Sequence, residues 1–163
     1  MLLALDISTS CTGYCIFDED KLIDIGSINL SKHKGLFEKA SLVKSDILRL
    51  SSKYQITHVA VEENLQAFRP GLSSAKTLMT LAQFNGVVRW ICHENLAVPV
   101  ESINVNTARK NVGLKINKKD KSKTTKEKVL DWVSEDDTSI KWPTKILKSG
   151  PNKGKKRICN EAY

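Results

Sequence analysis

Long apolar runs are missing from this 163-residue chain: the longest, residues 1–5, is far too short to cross a bilayer or to serve as a secretory leader. No membrane association is therefore expected, and the cytoplasm is the default compartment. Cysteine is sparse and unpatterned. Cys11, Cys15, Cys92 and Cys159 form no C-x-x-C pair and have no histidine at a zinc-ligand spacing, which argues against a disulfide framework and a zinc site and leaves buried or idle thiols. No internal repeat is visible, so a solenoid is not expected.

What the chain does contain is ordinary in amount and unusual in arrangement. An apolar share of 40% suits a soluble globule, and the length suits one domain over residues 1–163, able to bury roughly two-thirds of its unfolded surface. The net charge is +8, and it is segregated. Residues 1–108 hold 10 Lys/Arg against 11 Asp/Glu, whereas residues 109–157 hold 16 against 6. Such a basic third is expected of a face that meets a polyanion and releases its counterions, and nucleic acid is the leading partner. The alternative is a solvated basic tail, and segments 115–123 and 145–157 are expected to be basic and flexible.

Residues 2–5 read as an apolar strand covered on both faces and ending at Asp6. Residues 13–17 and 21–30 continue an antiparallel meander around the Asp18-Glu19-Asp20 turn. Leu36, Ala40, Val43, Ile47, Leu50 and Tyr54 then mark one stripe of an amphipathic helix. It leads to a short strand, residues 58–61, followed by Glu62 and Glu63. Pro70-Gly71 signals a turn, and Ser73 or Ser74 caps a long helix to about Asn95. Its stripe of Leu78, Leu81, Phe84 and Val88 suits a core face better than an interface between copies. A fifth strand is expected over 99–105, a short helix over 107–112 stopped by Gly113, and a further helix over 124–134. The order of elements predicts an α/β domain with a mixed five-stranded sheet, three antiparallel N-terminal strands and then parallel ones, flanked by helices.

Two strands each end in a carboxylate, Asp6 and Glu62. A single acid at a strand end is commonly a turn former or helix cap. Two converging at one sheet edge instead offer hard oxygen donors suited to magnesium or manganese, and a pair of such ions about 4 Å apart can hydrolyse a phosphodiester.

The stretch Leu3-Ala4-Leu5-Asp6-Ile7-Ser8 with Thr12-Gly13-Tyr14 resembles the first two strands of RuvC-like Holliday junction resolvases of the ribonuclease H-like superfamily. Val59-Ala60-Val61-Glu62 is similar to their second acidic strand, and Leu81-Ala82-Gln83-Phe84-Asn85-Gly86 to the Leu-x-Gln-x-x-Gly of the next helix. Residues 103–113, with Arg109 and Lys110, are similar to the segment before the family's basic loop. The likeness covers nearly the whole chain in order, and its organisation is nearer to phage-type members.

The resemblance implies a homodimeric, Mg2+-dependent endonuclease, with Mn2+ able to substitute, that nicks four-way DNA junctions in recombination or repair. Asp6 and Glu62 would be metal ligands. Lys126 would stand beside the scissile phosphate, with Lys123 as a competitor. Phe68 would stack on bases at the crossover, next to Arg69. Lys118, Lys119, Lys121 and Lys123, with Arg109 and Lys110, would meet DNA.

One departure stands out. The family's C-terminal Asp-x-x-Asp pair is absent, Asp136 and Asp137 are expected only to end a helix, and Glu161 is a poor substitute. The chain is thus expected to lack the last catalytic helix, to bind branched DNA and to cut it weakly or not at all. Two other readings compete. A catalytically inactive branched-DNA-binding module fits the same residues, and the Asp6–Gly13 hairpin also resembles the phosphate hairpin of actin-like sugar kinases, whose second domain has no room in 163 residues.

Overall fold

A computed structural model describes residues 1–63, 74–116, 122–136, 144–146, 154 and 156–158. The strands are β1 (Leu2–Asp6), β2 (Cys11–Asp18), β3 (Lys21–Asn29), β4 (His58–Glu62), β5 (Val100–Ile103), β6 (Thr144–Ile146) and β7 (Lys156–Ile158). The helices are α1 (Leu36–Lys53), α2 (Ala75–Leu96), α3 (Val105–Asn111) and α4 (Thr125–Asp136). Five strands form one sheet in the order β3-β2-β1-β4-β5. The β1–β2 and β2–β3 pairs are antiparallel, and β1–β4 and β4–β5 are parallel. This is the mixed, helix-flanked α/β architecture expected from the sequence.

Period-two alternation gives the sheet two unlike faces. Leu3, Leu5, Ile16, Val59 and Val61 point to one face and are buried in one cluster with Ala40, Val43, Ile47 and Leu50 of α1 and Phe84, Val88, Ile91 and Cys92 of α2. That the whole α1 stripe lands inside explains why the segment folds as a helix with a polar outer side. On the same face Tyr14 lies across its register partner Gly26, where an added Cβ would come within 2.5 Å of the phenol oxygen. The opposite face carries Ala4, Asp6, Cys15, Ala60, Glu62 and Ile103, and there the sheet is partly open.

Several boundaries differ from expectation for physical reasons. β5 ends at Ile103 because Asn104 caps α3, its Oδ1 accepting from the N–H groups of Asn106 and Thr107. Of the two serines expected to cap α2, Ser74 does so, accepting from the Thr77 N–H at 3.1 Å. The ends of the basic segment expected to be flexible pair as strands, with Lys145 opposite Arg157 and Ile146 opposite Lys156. Among the described residues no helix is long and apolar enough to cross a membrane.

Candidate active site

The parallel register of β1 and β4 sets Leu5 beside Val61. Asp6 and Glu62 follow directly as the last residue of each strand. Both side chains alternate to the face opposite Leu5 and Val61, and both residues are exposed. They lie at the carboxyl ends of neighbouring parallel strands and line one cleft of about 260 Å³. Its floor is small, because Ala4 and Ala60 are register partners, and Ile25, Ile103, Val105 and Ala108 supply apolar walls. Carboxylates at the mouth of an apolar hollow interact more strongly with cations than they would in open water.

The surroundings fix these two positions. Asn85, buried in α2 at 4% exposure, donates its side-chain N–H to the backbone carbonyl of Glu62 at 3.3 Å. The next residue, Glu63, donates its N–H to the carbonyl of Ile103 and accepts from Asn104 Nδ2 at 2.9 Å. Asn104 therefore joins the end of β4 to the start of α3 while capping that helix. On the other strand, the loop after Asp6 is held by fully buried Thr12, whose hydroxyl donates to the Ser8 carbonyl, and by Lys39 of α1, whose ammonium donates to the Thr9 carbonyl at 2.6 Å. Gly13 pairs with Asp6, and a Cβ there would meet the Asp6 Cβ at 3.9 Å, an ordinary contact. Gly13 thus sits within β2 and simply leaves room beside Asp6.

The donor set is two carboxylates. Among the described residues no group of three or more His, Cys, Asp or Glu side chains is placed to hold a metal ion. Two carboxylates still suit Mg2+, which keeps several waters and completes its octahedron with substrate phosphates rather than with an all-protein cage. Cys15 lies in the cleft as well, but burial pushes its thiol up to about 11. It is a neutral wall residue at physiological pH, not a thiolate ligand.

Helix α3 is shared between this cleft and a second, basic groove. Val105 and Ala108 face the acidic cleft, whereas Asn106, Arg109 and Lys110 line a groove of about 330 Å³ with Lys115 and Thr125. The groove turns at Gly113, whose φ of 74° lies in the left-handed region that glycine adopts without strain. Of the other basic residues expected at a site, Lys123 forms an ion pair with Asp131 at 2.7 Å. Lys126 stands in the first turn of α4, with its side chain outside the described residues. Phe68, Arg69, Lys118, Lys119 and Lys121 also lie outside the described residues. Asn85, Asn104, Thr12 and Lys39 were not singled out from the sequence, although an Asn just before a short helix is a readable cap signal.

No family model and no curated protein sequence matches the chain. Solved structures do. RuvC of Thermus thermophilus, seen in complex with a Holliday junction substrate, superposes with a TM-score of 0.61 at 17% identity, over 82% of this chain and 76% of that one. A second structure of Thermus thermophilus RuvC gives 0.55 at 17% identity, over 82% and 78%. The yeast mitochondrial Holliday junction resolvase Ydc2 gives 0.52 at 16% identity, over 82% of this chain and 61% of that one. The fold is therefore RuvC-like, as the resemblance implied.

Proposed function

We propose that this chain is a structure-specific DNA endonuclease that cleaves Holliday junctions and other branched DNA by two-metal phosphodiester hydrolysis, acting as a homodimer. One observation carries the reading: Asp6 and Glu62 arrive side by side, on one face, at the open rim of two parallel strands. The likeness of the fold to a RuvC bound to a junction supports branched DNA as the substrate.

In this reading Asp6 and Glu62 hold Mg2+, or Mn2+ in its place. When bound, the ions supply a hydroxide-like nucleophile at neutral pH and neutralise charge at the leaving oxygen. The protein's own groups do the rest. Asn85 and Asn104 hold the end of β4 in place, and Thr12 and Lys39 hold the loop after Asp6. The apolar walls border the carboxylates on the side of the sheet, and the Arg109, Lys110 and Lys115 groove draws the phosphate backbone toward them. Lys126 is assigned to the scissile phosphate. Phe68 is assigned to stacking on crossover bases beside Arg69, and Lys118, Lys119, Lys121 and Lys123 to backbone contacts.

The donor set favours one second reading, since two carboxylates are fewer than a full nuclease site gathers: a junction-binding module that does not cut. Binding and cleavage of four-way, Y-shaped and linear DNA of matched sequence, with Mg2+ or Mn2+, test both. Tighter binding of branched forms and nicking of the four-way form are expected. Replacing Asp6→Asn or Glu62→Gln should slow nicking by more than ~100-fold with binding kept, since losing even a supporting partner of a metal ligand costs about 10–100-fold. Equal affinity for linear and branched DNA, or undiminished nicking by Asp6→Asn, refutes the proposal. Tight branched binding without any nick leaves the binding module.

A further inference from the structure

Two glutamates follow one another at the end of β4, and they are used differently. Glu62 lines the acidic cleft with Asp6, and Glu63 does not. Among the described residues no three acidic, histidine or cysteine side chains come together around a metal position, so Glu63 does not join that pair. Its backbone N–H carries the β4–β5 ladder one residue further, donating to the Ile103 carbonyl at 2.9 Å, and its carboxylate accepts from Asn104 Nδ2 at 2.9 Å. The side-chain contact spans 41 residues of chain and ties the two strand ends side by side.

Asn104 has a second task at its other side-chain atom. Oδ1 accepts from the N–H groups of Asn106 and Thr107, at 3.0 and 3.4 Å, and so fixes the first turn of α3. That helix needs fixing. It has seven residues, none of them buried, and so short a helix does not hold itself together in water. Yet it carries Val105 and Ala108 of the cleft wall on one side and Arg109 and Lys110 of the basic groove on the other. Whatever sets its direction therefore sets where the groove stands relative to Asp6 and Glu62.

We propose that Asn104 and Glu63 form a strut that fixes the direction of α3 against the end of β4, so that a phosphate backbone held in the basic groove is presented to the acidic rim. Both are positioning residues. Neither lines the cleft, and each acts through α3. An amide suits the task because one planar group caps the helix with its oxygen and braces it with its nitrogen. Aspartate would cap as well, but has no proton to donate to a carboxylate at neutral pH. The inference deepens the function proposed above and rests on it for the reaction in which the strut is felt, whereas the strut itself belongs to the free protein.

The two tasks of Asn104 can be separated in the whole protein. Asn104→Asp keeps the cap, removes the donor and sets two carboxylates face to face. Nicking of a four-way junction at saturating protein in Mg2+ should fall ~10-fold or more, with junction affinity changed by less than ~5-fold because Arg109 and Lys110 are kept. Glu63→Gln still accepts from Asn104 through a weaker, neutral bond and should cost ~5-fold or less. Asn104→Asp combined with Glu63→Gln reverses the bond, the new amide donating to the new carboxylate, and nicking should return to within ~5-fold of wild type. Hydrogen exchange of the amides of residues 105–111 reads the strut without DNA: ~5-fold faster or more in Asn104→Asp, and restored in the double exchange. Asn104 is exposed and Glu63 half-buried, so all three variants should keep the wild-type circular dichroism. Loss of nicking in Glu63→Gln as severe as in Asp6→Asn would make Glu63 part of the reacting site and overturn the strut, as would failure of the double exchange to restore α3 protection. A wild type that does not nick, while α3 protection follows the pairing, refutes the function and upholds the strut; a wild type that nicks, with α3 protection indifferent to the pairing, refutes the strut alone.

Discussion

The hydrogen bond from Asn85 to the Glu62 carbonyl is the most exposed part of the site's design to mutation. Replacing Asn85→Ala removes a net contribution of about 1 kcal/mol and leaves a carbonyl at the inner end of β4 short of a partner, which costs about 1–3 kcal/mol more. A destabilisation of about 2–4 kcal/mol follows, and for a domain of this size that lowers the melting temperature by about 4–16 °C. Asn85→Leu refills the volume without the donor and should recover only part of the loss. Asn85→Asp sets a buried carboxylate against the carbonyl oxygen and should be the worst of the three. Urea unfolding followed by far-UV circular dichroism gives the order, and nicking assays run well below each melting point show whether Glu62 has moved. Full wild-type stability and nicking in Asn85→Leu would refute the idea that this hydrogen bond holds the acidic end of β4.

Two other outcomes follow from burial and charge. Burial raises the Cys15 and Cys92 thiols from the ordinary 9.0 to about 11 and about 12, so at pH 8 alkylation followed by peptide mass spectrometry should label both far more slowly in the folded protein than in the urea-unfolded chain. Because the folded state retains these protons where the unfolded chain releases them, their contribution to stability is complete below pH 9 and is lost as pH rises through about 11–12; a melting temperature flat over that window would contradict it. Arg109→Glu and Lys110→Glu should weaken DNA binding evenly across sequences and lower the log-log salt slope by about 0.9 per lost phosphate contact on duplex arms. Fluorescence anisotropy over a salt series measures this, and an unchanged slope removes these residues from the interface.

The strands and long helices were legible because their patterns are local. Leu2 to Leu5, the Leu36–Leu50 stripe and the Ser74 cap each announce themselves within a few residues. The adjacency of Asp6 and Glu62 is not local: it depends on β4 docking parallel to β1 across more than fifty residues of chain, and no period in the sequence encodes that choice. Only the resemblance to RuvC-like strands anticipated it. Asn85 and Asn104 escaped notice for the same reason, since an asparagine's value lies in a carbonyl or carboxylate that tertiary structure brings to it. The β6–β7 ladder was hidden differently. Strands of three residues, in a stretch dominated by lysine, have too few side chains to show alternation.

Two surfaces among the described residues that are poorly adapted to water lie on different layers. Along β1 and β4, alternation puts Leu and Val on the face beneath α1 and α2, and Ala4 and Ala60 on the other, so the hollow before Asp6 and Glu62 exists because the open face was given the smallest side chains. Along α2, the core takes Phe84 and Val88, while the outer side withholds charge around Gly86 instead of supplying it. Filling the hollow or charging the stripe would each make a more conventional surface. Because the sheet and the hydrophobic core stand between them, a substitution in one should leave the other intact: Trp90→Glu ought to spare the geometry of Asp6. Loss of nicking in Trp90→Glu at wild-type stability would mean that the layers are not independent, and that the outer side of α2 shapes the acidic rim as well.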